Sequence, residues 1–265
     1  MDLGVKNKVA IVTGGTSGIG LATVKLLLQE GASVAFCARN EERLHDTEAD
    51  LEQQFPSDRY IGFVCDVLEE EQVLAFAEGV RSRWGRCDML IVNAGGGRFS
   101  TFASTTDEHW VTETQLKIFS VVYPTRAFLP MLEASGAGGI AIVNSLLAVR
   151  PEPHMVATSS TRAAQLNLAR SMATEFAPKG IRVNSILVGM IDSGQWQRRY
   201  KEQSLGSESY DEYLARIVEK RGLPMQRFGQ PEEAARALVF LVSPASSYTT
   251  GASLDLSGGQ ASHVS

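Results

Sequence analysis

The sequence predicts an α/β fold: a doubly wound parallel sheet of about seven strands with helices on both of its faces. Two observations carry this prediction. Short runs of residues recur that are almost continuously apolar, as in strands that are covered on both sides. Longer helical patterns separate these runs, and the alternation is typical of strand–helix–strand units. The 265 residues contain no internal repeat and no Pro- or Gly-rich linker, so we predict a single domain over residues 1–265.

The short apolar runs predict the strands in chain order. They are residues 8–13, 33–38, 60–65, 88–93, 139–145 and 181–187, with a weaker seventh run at 252–258. Helical patterns lie between the runs, for example at residues 20–31 and 69–85. Two segments depart from this rhythm: a long helical pattern from Asp107 to about Leu132, and a polar, aromatic segment over residues 193–229. The second is too long for a plain connection, and we interpret it as a helical lid, called the lid segment below.

The composition excludes several classes of protein. The net charge is −5, and Lys and Arg are scattered, so we predict no nucleic-acid partner. Cys37, Cys65 and Cys87 are odd in number and form no C-x-x-C pair, which indicates a reducing cytoplasm and no disulfide scaffold. The histidines lack metal-ligand spacing, and no apolar run approaches ~18 residues. We therefore expect neither a metal site nor a membrane span.

The stretch "VAIVTGGTSGIGLA" has the pattern of a nucleotide-binding turn. It follows the first predicted strand and opens the first predicted helix. Gly14, Gly18 and Gly20 would let the backbone turn tightly and approach a pyrophosphate, while the helix N-terminus offers N–H groups and a positive dipole end. The alternative is a glycine turn without a ligand. The position of the motif between a strand and a helix favours a dinucleotide.

Together with this loop, four further segments make the sequence resemble the short-chain dehydrogenase/reductase family. The loop, "TGGTSGIG" at 13–20, is similar to the family's T-G-x-x-x-G-x-G motif. The other segments are "CDV" at 65–67, "NAG" at 93–95, "IRVNSI" at 181–186 and residues 226–259. The resemblance extends over essentially the whole chain. It implies a Rossmann-like fold and a nicotinamide cofactor.

The resemblance also implies which positions hold the cofactor. Asp66 would contact the adenine, and Asn93 belongs to the segment that stabilises the central sheet. The family's Pro-Gly before the lid segment is Val188-Gly189 here, and its carboxamide-holding Thr is Ser193. The complete implied set is Gly14, Thr16, Ser17, Gly18, Ile19, Gly20, Arg39, Asn40, Asp66, Val67, Asn93, Ala94, Gly95, Arg162, Gly189, Ile191 and Ser193.

The end of the second strand indicates which nicotinamide is bound. NAD enzymes place an Asp or Glu there to bond the ribose hydroxyls, whereas a basic residue meets the 2′-phosphate of NADP. Here the strand ends in Ala38-Arg39-Asn40, with no acid before Glu41. Arg39 can pair with a phosphate through two parallel N–H bonds, and Asn40 can add a donor. We predict NADP(H); the alternative is an exposed arginine that merely ends a strand.

The catalytic positions carry the main departure from the family. Its members have a Ser that orients the substrate oxygen, a Tyr thirteen residues later that transfers the proton, and a Lys four residues after the Tyr. At these spacings the present sequence has Ser145, Thr158 and Arg162. Residues i and i+4 share a helix face, so Thr158 and Arg162 would still point into one site. The family's Asn in the preceding long helix corresponds to Lys117.

The Tyr-to-Thr difference is the severe one. A phenol has a pKa of ~10 that a nearby cation can lower, whereas an aliphatic hydroxyl hardly ionises. Arg162 keeps the positive charge but can hardly supply a proton. Lys117, enclosed between an apolar wall and another cation, would lose its proton more easily and could be a general acid; alternatively, it fills the space left by the Tyr and bonds backbone carbonyls. His154 is the second candidate acid, with an ordinary loop residue as the alternative.

Ser145, Lys117, Thr158 and Arg162 are predicted to form one polar cluster around the nicotinamide. Two cations beside a cationic nicotinamide are costly unless an anion lies between them. We expect that anion to be a developing alkoxide or a carboxylate of the substrate.

Three functions fit these observations. The first is an NADP(H)-dependent oxidoreductase that interconverts a carbonyl and an alcohol on a small molecule. The second is a cofactor-binding protein with little turnover, such as a sensor or an inactive partner subunit, and the third is a non-redox enzyme on the same scaffold. Intact cofactor motifs favour the first two, and a lid segment that encloses a small molecule favours the first. The resemblance further implies a homotetramer, which light scattering would measure.

Overall fold

A computed structural model of the protein describes residues 2–204 and 206–261. Its centre is a seven-stranded sheet in the order β3-β2-β1-β4-β5-β6-β7, in which every neighbouring pair is parallel. The strands are β1 (Val9–Thr13), β2 (Ser33–Ala38), β3 (Tyr60–Val64), β4 (Met89–Val92), β5 (Gly139–Ser145), β6 (Arg182–Val188) and β7 (Ser253–Leu256). The predicted fold class is confirmed, and the weak seventh run forms a strand that is shorter than predicted.

Helices connect the strands and cover both faces of the sheet. They are α1 (Gly18–Gln29), α2 (Glu41–Glu52), α3 (Glu70–Trp84), α4 (Asp107–Ala134), α5 (Val156–Phe176), α6 (Gly194–Gln203), α7 (Tyr210–Arg221) and α8 (Pro231–Val242). The strand order reverses between β1 and β4, because the chain runs outward through β2 and β3 before it returns. In open parallel sheets this switch point, at the carboxyl ends of the strands, is where ligands bind.

The alternation of side chains along the strands produces two separate cores. In β1, Ile11 faces one core and its neighbours Ala10 and Val12 face the other. The first core contains side chains of α3, α4 and α5, such as Phe128 of α4. The second contains side chains of α1, α2 and α8, such as Leu27 of α1. Burial on both faces explains why the strands are continuously apolar in the sequence.

The lid segment, residues 193–229, contains α6 and α7 and is helical, as predicted; residue 205 lies outside the described residues. Its two helices are held together by aromatic rings, since Tyr200 of α6 packs against Tyr210 and the buried Tyr213 of α7. In addition, the Tyr210 hydroxyl donates to Asp192 Oδ1 at 2.5 Å, just before α6. These contacts connect the lid segment to the end of β6.

Within the described residues, no helix is both long enough and apolar enough to cross a membrane. The same residues contain no group of three or more His, Cys, Asp and Glu side chains that could hold a metal ion.

Candidate active site

The glycine loop between β1 and α1 lies at the switch point of the sheet. Gly14 and Gly18 have φ angles of +68° and +51°, which glycine adopts without strain. A Cβ on Gly20 would lie 2.1 Å from the carbonyl oxygen of Gly14, so no side chain fits at this position. Ser17 begins α1 without a side-chain capping bond, and the first turn carries no acidic residue. The N-terminus of α1 therefore suits an anion such as a pyrophosphate.

Asn93, just after β4, holds this loop in place. Its Nδ2 donates to the carbonyl oxygens of Thr13 at 2.9 Å and Gly14 at 3.0 Å. In return, Thr13 Oγ1 accepts bonds of 3.0 Å from the backbone N–H groups of Asn93 and Ala94. Asn93 and Ala94 thus position the loop from the neighbouring strand.

The end of β2 brings two of the predicted cofactor residues together. Arg39 is exposed, and its Nη1 lies 3.6 Å from Asp66 Oδ2, just after β3. Asn40 begins α2, and its Oδ1 accepts a 2.7 Å bond from the backbone N–H of Arg43. Only the amide nitrogen of Asn40 is therefore suited to a phosphate. Val67, which follows Asp66, is buried.

The remaining predicted cofactor residues lie around the same edge of the sheet. Thr16 is buried within the loop, and Ile19 lies half-buried in the first turn of α1. A Cβ on Gly95 would lie 3.6 Å from Arg162 Nη2, so this glycine is next to the catalytic positions. Gly95 and Arg162 are separated by 67 positions in the chain, yet the structure makes them neighbours.

The start of the lid segment approaches the glycine loop. Ser193 begins α6, and its Cβ lies 3.5 Å from the position that a Cβ on Gly18 would take. Ile191 pairs with Gly229 in an isolated parallel bridge. Gly189 packs so tightly that a Cβ there would lie 2.9 Å from Ser257. The two ends of the lid segment are thereby tied together beside the predicted pyrophosphate site.

The catalytic positions contain a buried carboxylate, Glu113, that the sequence analysis missed. Lys117 is buried with 1% of its side chain exposed, and its Nζ lies 2.9 Å from Glu113 Oε2 in the preceding turn of α4. Thr158 Oγ1, on α5, lies 2.6 Å from the same carboxylate oxygen. Glu113 therefore accepts from a cation and a hydroxyl that belong to different helices.

Lys117 is a group in this arrangement whose pKa is brought close to neutral pH. Burial, together with the positive charge of Arg162, lowers the pKa of Lys117 to about 8, although Glu113 acts to raise it. An apolar wall and a second cation were expected to lower the pKa of Lys117, and burial and Arg162 both act on it here. The alternative interpretation was a lysine that bonds backbone carbonyls. Among the described residues, Lys117 Nζ instead donates to Glu113.

Thr158 serves as a wall residue in this arrangement. Its hydroxyl is buried and directed at Glu113, while its oxygen accepts a 3.1 Å bond from the backbone N–H of Arg98. The hydroxyl has a single proton, and Glu113 is its closest acceptor. Thr158 thus donates its hydroxyl proton to Glu113, so it cannot at the same time donate to a substrate.

Arg162 is tied to the ends of two strands. Its Nη1 donates to the Val143 carbonyl at 2.9 Å and to Gln165 Oε1 at 2.8 Å, and its Nη2 donates to the Gly96 carbonyl at 3.4 Å. Its Nε is buried and has no partner among the described residues. Burial lowers the pKa of Arg162 to about 10, so it remains a cation near neutral pH. An unpaired Nε–H suits a ligand oxygen.

Ser145 makes its hydrogen bonds with neighbouring backbone groups. At the end of β5, its Oγ accepts a 3.2 Å bond from the Leu147 backbone N–H and lies 3.5 Å from the Val188 carbonyl oxygen. Within the described part of the chain, it makes no hydrogen bond to Lys117, Thr158 or Arg162. The 3₁₀ turn that follows β5 engages the oxygen of its hydroxyl, and a polar cluster of these four residues around a nicotinamide stays a prediction.

His154 contacts residues other than Lys117, Thr158 and Arg162. Its Nε2 lies 2.8 Å from Glu152 Oε2 and 3.2 Å from an Arg221 nitrogen of α7, and its ring stacks on Phe99 with centroids 5.6 Å apart. These contacts link the loop before α5 to the lid segment. The structure therefore favours the alternative interpretation of His154, a loop residue.

Glu113 also supplies the negative charge that was expected beside the two cations, Lys117 and Arg162. The expectation that a substrate group or an alkoxide must lie between the two cations was incomplete, because the chain supplies its own carboxylate. The signal in the sequence is the spacing of Glu113 and Lys117, which lie four residues apart and hence on one helix face. Such pairs are common on solvated helix faces, so the spacing alone does not indicate a buried site.

Known proteins are similar to this chain along most of its length. A family model described as Enoyl-(Acyl carrier protein) reductase matches residues 14–261. Dehydrogenase/reductase SDR family member 4 of Sus scrofa is 33% identical over 264 residues, which cover 98% of this chain and 89% of that protein.

Two solved structures are similar along almost the whole chain. An NADPH-bound short-chain oxidoreductase of Pseudomonas aeruginosa, described as containing an atypical catalytic center, is 54% identical, with a TM-score of 0.92 over 98% of this chain and 100% of that one. L-sorbose reductase of Gluconobacter frateurii, complexed with NADPH and L-sorbose, is 34% identical, with a TM-score of 0.94 over 100% of both chains. The glycine loop, the sheet order and these similarities together show that the chain belongs to the short-chain dehydrogenase/reductase family.

Proposed function

We propose that this chain is an NADP(H)-dependent oxidoreductase that interconverts a carbonyl and an alcohol on a small substrate. The observation that carries the proposal is Lys117, a buried amine whose pKa is lowered to about 8 beside the second cation, Arg162. A group with a pKa near the working pH is suited to general acid–base catalysis. The family's phenol is absent, and Lys117 replaces it as the group that can both carry and release a proton.

The residues at the switch point fit a nicotinamide dinucleotide. The position of Gly20 admits no Cβ, and the N-terminus of α1 favours a pyrophosphate. Arg39 is exposed beside Asp66, as a phosphate-binding residue at the adenosine end would be. The similar structures from Pseudomonas aeruginosa and Gluconobacter frateurii bind NADPH, which supports the same cofactor for this chain.

The residues of the site have separate tasks in the proposed reaction. NADPH, when bound, supplies the hydride that reduces a carbonyl carbon. Lys117 holds a proton at Nζ below about pH 8 and provides it to the substrate oxygen. Arg162 contributes a fixed positive charge and the unpaired Nε–H. Ser145 offers a hydroxyl at the end of β5, and Glu113 keeps Lys117 and Thr158 in position.

Replacing Arg39 with alanine should weaken NADPH binding by about 10- to 100-fold, because a charge-assisted contact to phosphate contributes ~1.5–3 kcal/mol. NADH lacks the 2′-phosphate, so its affinity should hardly change. Fluorescence titration of both cofactors measures this. Arg81→Ala, which removes an exposed arginine on α3, is the matched control. Equal affinities of the wild-type protein for NADPH and NADH would contradict the proposed cofactor.

Restoring the family residues with Thr158→Tyr and Arg162→Lys together should not produce a broad reductase. Thr158 is buried 2.6 Å from Glu113, so a phenol would displace this carboxylate and leave Lys117 without its counter-ion. We expect NADPH oxidation to stay at the wild-type level or below across a panel of ketones and aldehydes. Broad activity in the double variant, with no effect of Lys117→Ala, would instead mean that the site is an ordinary one that has decayed.

A further inference from the structure

Arg199 of α6 lies between two aromatic rings at the edge of the lid segment. Its guanidinium carbon is 4.5 Å from the ring centroid of Trp196, one turn earlier on the same helix. It is also 4.5 Å from the ring centroid of Phe99, which lies in the loop after β4. Two rings restrict the movement of a guanidinium and hold its plane in place.

The guanidinium of Arg199 has no protein acceptor within the described residues. Among residues 2–204 and 206–261, no carboxylate lies within ion-pair distance of it, and no hydrogen bond involves its nitrogens. None of these nitrogens is among the fully buried atoms without a partner. Its nitrogens are therefore unpaired among these residues, and each keeps some accessible surface. Five donors in this condition, on a restrained side chain, are suited to an incoming oxyanion.

Two neighbouring arginines act on the pKa of Arg199. Arg198 and Arg221 both act to lower the pKa of Arg199, although its burial does so most. Arg221 is paired with Glu152, whereas Arg198 belongs to no ion pair in the described part of the chain. Glu202 is the carboxylate that opposes these charges, and it is exposed. Among the described residues, the unpaired Arg198 therefore adds to the charge of Arg199, whereas Glu152 already balances the charge of Arg221.

Arg199 contacts the loop after β4, which also approaches Thr158. Phe99 follows the turn at Gly97, where a Cβ would lie 3.3 Å from Thr158 Cγ2. The same Phe99 ring stacks on His154, which precedes α5. On the other side, α6 begins at Ser193, next to the glycine loop. Arg199 is thus connected through Phe99 to the segment beside Thr158, and through α6 to the glycine loop.

We propose that Arg199 binds an oxyanion of the substrate, a carboxylate or a phosphate, and thereby selects carbonyl compounds that carry one. This inference rests on the proposed function, because it assigns the substrate class of the same site. The aromatic rings hold the guanidinium before the ligand arrives, so little conformational entropy is lost on binding. The selected carbonyl group would then lie further inside, toward Lys117 and Arg162.

Matched pairs of ligands test the proposal. The first arm uses straight-chain 3-, 4- and 5-oxo acids, each beside its neutral primary amide. The second arm uses hydroxyketone phosphates, each beside the free hydroxyketone, and so separates phosphate from carboxylate. Calorimetry measures binding to the NADP⁺ complex, which cannot reduce a ketone, and to the protein alone, and NADPH oxidation gives KM and kcat separately. Binding is measured without turnover, so the anion site is tested even in an inactive protein.

We expect at least one charged member to bind the wild-type protein at least about tenfold more tightly than its neutral partner, as one charge-assisted contact provides. Arg199→Gln should remove this preference and raise KM while kcat changes little. Arg199→Lys should keep part of the preference, since it retains the charge but not the flat donor set. Arg198→Gln removes the same charge from an exposed position of α6 and should leave most of the preference in place.

Two results would overturn the anion site: no charged member is preferred by the wild-type protein, or the preference persists undiminished in Arg199→Gln. A protein that oxidises NADPH with neutral ketones but ignores their charged counterparts would refute this inference and leave the proposed function standing. A protein that prefers the anions in an Arg199-dependent manner but binds no NADPH would support the anion site and refute the proposed function.

Discussion

Replacing Lys117 with methionine should lower kcat for carbonyl reduction by about 10²- to 10⁴-fold, the usual contribution of a general acid. Methionine has a similar length and fills the buried space, but it carries no proton. The affinity for NADPH should change little, because Arg39 and the glycine loop remain intact. Steady-state kinetics under saturating NADPH, with cofactor affinity measured separately, distinguish the two effects.

This replacement has a second consequence, because it leaves Glu113 buried without its cation. Breaking a buried ion pair by removing one partner costs about 3–5 kcal/mol. The free energy of unfolding, measured in denaturant, should fall accordingly. The double variant Glu113→Gln with Lys117→Met removes both charges and should recover most of that stability while turnover stays low. Recovery of turnover together with stability would show that Lys117 acts only on the fold.

The Glu113→Gln variant alone should shift the pH dependence of reduction to lower pH. In the proposed reaction, reduction requires protonated Lys117, so the rate of the wild-type protein should be constant below about pH 8 and fall as the pH rises through that value. Glu113 acts to raise the pKa of Lys117, and its removal lowers this pKa further. A carboxylate in direct contact changes such a pKa by about 1–3 pH units, so the midpoint should move down by a similar amount.

The profile of kcat/KM against pH, recorded for both directions of the reaction, measures this shift. Oxidation of the alcohol needs Lys117 unprotonated, so its rate should rise through the same midpoint and move down with it in Glu113→Gln. Glu133→Gln, which removes a surface carboxylate from the far end of α4, should leave the midpoint in place. An unchanged midpoint in Glu113→Gln would mean that a group other than Lys117 titrates.

The fold and the cofactor loop were predictable because their signals are local. A buried strand such as Gly139–Ser145 is continuously apolar wherever its sheet lies, and its bounds agree with the predicted run. The backbone at Gly14 and Gly18 has positive φ angles, and Gly20 has no room for a Cβ, so this pattern of glycines is a local requirement. The spacing from Ser145 to Thr158 and Arg162 likewise placed the catalytic positions on β5 and α5.

The sequence by itself determined the order of the strands and helices, the position of the glycine loop and the absence of the family's Tyr and Lys. Only the tertiary structure showed which side chains surround Lys117. Glu113 and Thr158 are 45 residues apart and meet because α4 packs against α5. That packing removes water from Lys117, and removal of water is what lowers its pKa. Arg199 likewise becomes an anion-binding candidate only because the fold brings Phe99 against it. Burial and charge pairing between distant segments depend on three-dimensional proximity, which local sequence patterns do not encode.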